Sequence, residues 1–99
     1  MLFSWLDASE AKKFGLFLAE FYMKRVVLDA KNRKPFSLAK RQEVENKIMQ
    51  QLARFKLEHK LNFYKKAQLG NAFKWALKDA GYDPQYVDQF TAALMITLR

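Results

Sequence analysis

The sequence predicts an all-α fold, a compact four-helix, bundle-like domain of 99 residues. Three observations carry the prediction. Apolar residues recur at spacings of three and four along most of the chain, the period of a helix face. Lys, Glu, Gln, Leu and Ala, which lose little rotamer freedom in a helix, dominate the remainder. Only three Gly and two Pro punctuate the chain, so few turns are signalled. One domain spanning residues 1–99 is expected, burying roughly 60–70% of the surface its unfolded form would expose. The 51% apolar and 15% aromatic content supplies the core.

Residues 1–6, MLFSWL, read as an apolar leader. The first helix is expected near residues 8–30, opened by Asp7 with Glu10 three residues on, the pattern of a capping box. Ala11, Phe14, Leu18, Phe21, Tyr22 and Val26 form its inward stripe, widened by Phe17, Met23 and Val27. So broad an apolar face suits a helix with neighbours on two sides. Pro35 then biases Lys34 away from helix, and Ser37 is placed to cap a second helix near 37–59. Val44, Ile48, Leu52 and Phe55 make its stripe, preceded by Leu38.

The next boundary is the least marked, because no Gly or Pro interrupts EHKLNFY. Asn62 is a candidate cap for a third helix near 62–80, the alternative being one long bent helix through residues 37–80. Leu69, Ala72, Phe73, Ala76, Leu77 and Ala80 face one side of it, and Gly70 is read as permitting close helix packing. DAGYDPQY is the clearest punctuation. Gly81 fits the left-handed residue beyond a helix end, Tyr82 the accompanying apolar contact, Asp83 a cap and Pro84 the first position of a fourth helix near 84–98. There Tyr86, Val87, Phe90, Leu94 and Leu98 face inward.

Composition narrows the function classes. With no Cys, disulfides, thiolate nucleophiles and Cys-ligated zinc are excluded. The start lacks the cationic leader of a signal peptide, and the richest apolar stretch, FGLFLAEFYMKRVVL, is broken by Glu20, Lys24 and Arg25. A cytoplasmic protein without integral membrane association is expected. The lone His59, beside Glu58 and Lys60, reads as a solvated or capping residue. Glu43 and Glu45 diverge on a helix, and Asp79 and Asp83 straddle a turn. No set of residues has metal-ligand spacing, and no phosphate loop or nucleophile elbow is present. Neither catalytic residue, metal nor cofactor is expected. Residues 71–98 have the outline of a helix-turn-helix, but the second helix carries Asp83 and Asp88 and no cation before Arg99, which would repel phosphate.

The charge is more informative. Net charge is +8, and residues 31–66 hold eleven cations against three acids, while the flanking thirds are balanced. The densest stretch is KNRKPFSLAKR, residues 31–41, with Lys31, Arg33, Lys34, Lys40 and Arg41. Lys40 and Arg41 fall in the first turn of a helix, where cations oppose the helix dipole. Such a local conflict points to function. Lys47 and Arg54 continue the series from Lys40 at seven-residue intervals. The expected function is a non-catalytic protein–protein interaction module whose basic segment engages an acidic partner. The alternative is sequence-independent binding of a nucleic-acid phosphate backbone by the same cations. Leu2, Phe3, Trp5 and Leu6 are expected either to fold back on the bundle or to offer a patch for homodimer formation.

Overall fold

The computed structural model of the chain describes residues 7–99. The fold is all-α, with four helices: α1 (Ser9–Arg25), α2 (Leu38–Glu58), α3 (Phe63–Asp79) and α4 (Pro84–Thr97). α1 packs along α3 and against α2, and α4 packs against both α3 and α2. The leader residues Leu2, Phe3, Trp5 and Leu6 lie outside the described residues.

The core is built from the apolar stripes. Leu18, Ala19 and Tyr22 of α1, Val44, Ile48 and Leu52 of α2, Leu69, Phe73 and Leu77 of α3, and Val87 and Leu94 of α4, with Leu98 just beyond it, are fully buried. Gly15 sets the closeness of the α1–α3 contact, since a Cβ there would stand 2.4 Å from the Leu69 carbonyl oxygen. Gly70 plays a milder part between α3 and α4, where a Cβ would meet the flexible end of Met95.

Three boundaries follow the expected chemistry. Ser37 Oγ accepts from Lys40 N–H at 3.1 Å and Asn62 Oδ1 from Lys65 N–H at 2.8 Å, so residues 59–62 do break the chain into two helices. α3 ends in a full Schellman motif. Gly81, at φ +95°, donates to the Lys78 carbonyl, and Tyr82 donates to that of Leu77. Asp83 then caps α4, accepting from Tyr86 N–H at 3.1 Å.

Two ends differ from expectation. α1 stops at Arg25 rather than near residue 30. The β-branched pair Val26–Val27 is a weak helix continuation, and Asp29 and Asn32 bond their own neighbours in turns instead. At its start there is no capping box. Ala8 holds the cap position, Asp7 accepts from the Ser9 amide and hydroxyl, and Glu10 reaches toward His59. Leu38, expected in the inward stripe of α2, is 64% exposed, because the first turn of that helix overhangs a cleft.

Candidate functional site

The basic segment is an ordered hairpin. Leu28 and Pro35 pair across it as an isolated antiparallel bridge, and Phe36 N–H donates to the Val27 carbonyl. Inside the loop, Asp29 N–H donates to the Lys34 carbonyl and Arg33 N–H to that of Asp29, both at 2.8 Å. Asp29 Oδ1 accepts from Lys31 N–H, and Asn32 Oδ1 from Lys34 N–H. These bonds hold Arg33 at φ 60°, a left-handed conformation costing a non-glycine residue about 1–2 kcal/mol. Its guanidinium crosses to the α3–α4 turn, where Nη2 lies 3.4 Å from the Gly81 carbonyl.

Between the hairpin, the first turn of α2 and the α3–α4 turn lies a cleft of about 630 Å³. Leu28, Pro35, Leu38, Tyr82 and Pro84 supply apolar wall, and Arg33, Lys34 and Arg41 supply charge. Asp83 is the one acid lining it, and its carboxylate is engaged as the α4 cap.

A tyrosine network underlies the cleft. Tyr22 OH donates to Tyr86 OH at 2.9 Å, Tyr86 OH donates to Glu45 Oε2, and Tyr82 OH donates to the Val26 carbonyl at 2.6 Å. Burial pushes the Tyr22 hydroxyl up to about 12, although its bond to Tyr86 acts the other way. Burial and the Glu45 carboxylate push Tyr86 far above the tyrosine range, and burial raises Tyr82. All three therefore remain neutral hydrogen-bond donors. Arg41 lies with its guanidinium 4.8 Å above the Tyr86 ring and its Nε 3.6 Å from Glu45 Oε2. That Nε is shielded from solvent and has no hydrogen-bond partner among the described residues. Arg41 is thus positioned by ring and charge, with 31% of its side chain still open to solvent.

The seven predicted cations fall into different surroundings. Arg33, Lys34 and Arg41 converge on the cleft. Lys40 falls on the other side of Pro35, beside Arg25 in a small hollow of about 90 Å³. Lys40 and Lys47 both pair with Glu43, at 3.7 and 3.0 Å, and the Lys47 hydrogen bond holds the Glu43 carboxyl below its usual range. Lys31 and Arg54 are exposed and line neither space. Glu43 sits between Lys40 and Lys47 and pairs with both, so an acid interrupts the basic series that runs from Lys40 through Lys47 to Arg54.

Sequence reasoning missed Tyr22, Tyr82 and Tyr86 as site residues, treating them as core alone. The signal was present, since buried tyrosine hydroxyls require partners and three occupied inward positions. Glu45, four residues after Arg41, was the available acceptor. At the opposite end, Glu10, Phe55, His59, Lys60 and Lys65 border a second space of about 390 Å³. His59 stacks on Phe55 and lies 3.6 Å from Glu10, a terminal tie between α1 and α2. No group of three or more His, Cys, Asp or Glu among the described residues could hold a metal ion. No helix among them is long and apolar enough to cross a membrane. No protein-family model, curated protein or solved structure matches the chain.

Proposed function

We propose that the domain is a non-catalytic protein–protein interaction module that engages an acidic partner through the cleft bordered by residues 28–41 and 81–86. One observation carries the reading. Arg33, Lys34 and Arg41, brought from a hairpin and a helix start, converge on a concave surface whose single lining acid already caps a helix. Preorganised cations beside apolar wall favour a carboxylate-bearing protein segment, with charge setting orientation and on-rate. The groups that acid–base chemistry would need are committed elsewhere. Glu45 accepts from Tyr86, Asp83 caps α4, and the tyrosines are held protonated.

The phosphate-backbone alternative draws on the same cations, and the test separates the two. Labelled Asp/Glu-rich peptides and labelled duplex DNA are titrated with the full chain by fluorescence anisotropy at low and physiological salt. Lys34→Glu, at an exposed loop position, runs in parallel. The module reading expects peptide binding that weakens with salt and is abolished by Lys34→Glu, and no comparable DNA affinity. DNA binding without peptide binding, falling about fortyfold between 50 and 200 mM salt as three phosphate contacts require, would replace it.

A further inference from the structure

We infer that the cleft reads a short peptide segment in which a carboxylate stands next to an apolar side chain, with the apolar side chain as the anchor; the inference rests on the docking reading above. Its walls are the reason. A surface that only gathered negative charge would need cations and nothing else, yet Leu28, Pro35, Leu38, Tyr82 and Pro84 give this one an apolar wall. Leu38 in particular is 64% exposed at the first position of a helix, where burial does not explain it. The volume of about 630 Å³ lies within the roughly 300–1,000 Å³ of pockets that enclose compact ligands, so an inserted side chain and its flanking backbone fit.

The polar groups are arranged to complement such a segment. Arg41 is held over the Tyr86 ring with its Nε against Glu45 and about a third of its side chain (31%) open to solvent, so a carboxylate entering the cleft meets a guanidinium that is already oriented. Bonds of this charge-assisted kind are about twice as strong as neutral ones. Arg33 bridges from the hairpin to the Gly81 carbonyl through one long hydrogen bond, and Lys34 stands beside it on the rim. A nucleic-acid backbone would leave Leu38 and Leu28 uncovered. It would also run into Glu43 where the stripe continues toward Lys47.

The test uses blocked peptides in pairs of identical charge. One member carries a single Phe or Leu, moved position by position through an Asp/Glu background, and the other carries Ser there. Binding to the full chain is measured by anisotropy, with Leu38→Ala and Lys34→Ala alongside. Both substitutions fall at exposed positions, and their far-ultraviolet dichroism and melting should match the parent.

The expected result is binding by the anchored peptides alone. Leu38→Ala should weaken it about fivefold to tenfold, as loss of apolar contact from partial burial of a few carbons requires. Lys34→Ala should weaken anchored binding in a salt-dependent way. Equal binding by the Ser counterparts, unaffected by Leu38→Ala, would overturn the anchor and leave acidic docking standing. No binding by any acidic peptide, or binding by duplex DNA alone, would overturn both.

Discussion

Replacing Tyr86 with Phe removes one oxygen atom and two hydrogen bonds. In the folded protein that oxygen donates to the Glu45 carboxylate and accepts from the fully buried Tyr22. A hydrogen bond to a charged group contributes about 1.5–3 kcal/mol, and a buried hydroxyl left without an acceptor costs about 1–3 kcal/mol more. Glu45 keeps Arg41 nearby at 3.6 Å and part of its side chain faces solvent, which places the total near the lower end, about 2.5–4 kcal/mol. Tyr22→Phe is different. It deletes only a donor, and Tyr86 OH retains Glu45, so about 1 kcal/mol is expected. The double variant removes the stranded Tyr22 hydroxyl as well, and should be no less stable than Tyr86→Phe alone. Urea unfolding of the three variants, followed by dichroism, measures all three values. Additive losses, or equal losses from the two single substitutions, would refute the network as described.

Alkaline pH should probe the same tyrosines. The Tyr22 hydroxyl has a folded pKa near 12 against 10 in the unfolded chain, so its contribution is complete below pH 10 and is lost as pH rises toward 12. Melting temperature should fall more steeply over that interval in the parent than in Tyr22→Phe; parallel curves would contradict the assignment. Gly15→Ala should drive α1 away from the Leu69 carbonyl; because the clash is with backbone, the overpacking cost falls in the upper part of about 1–3 kcal/mol, leaving a net loss of about 1–2 kcal/mol after a helix-propensity gain of about 1 kcal/mol. The melting temperature should drop by roughly 5–15 °C, and a gain would show that the helices can separate freely. Gly81→Ala places a side chain at φ +95° and displaces the Arg33 guanidinium. A loss of about 1–2 kcal/mol is expected by urea unfolding, with less for Gly81→Asn.

Much of the fold was legible because its signals are local. Ser37, Asn62 and Asp83 cap helices through their own side chains, and Gly81 with Tyr82 terminates α3 within a few residues of chain. The α1 terminus was harder, since a β-branched pair stops a helix only when the chain beyond has somewhere better to go. Here that is the bridge between Leu28 and Pro35. The importance of Gly15 was not visible at all, because it depends on which helix lies opposite. The basic segment was legible as charge, but not as geometry. A hairpin sends Arg33 and Lys34 to one side of Pro35 while the turn of α2 sends Lys40 to the other, and this division depends on tertiary structure. Lys56 illustrates the same limit: its ammonium donates to the Thr97 and Arg99 carbonyls across 41 and 43 residues of sequence, an α4 end cap that no spacing rule predicts.

The central claim is that residues 28–41 and 81–86 form one docking surface. An amide chemical-shift titration of the labelled full chain with the acidic peptides tests it most directly. Shifts should cluster on Leu28, Arg33, Lys34, Leu38, Arg41, Tyr82 and Tyr86 and reverse as salt is added. Perturbation confined to the Lys47–Arg54 face or to the His59 end, with the cleft silent, would contradict it.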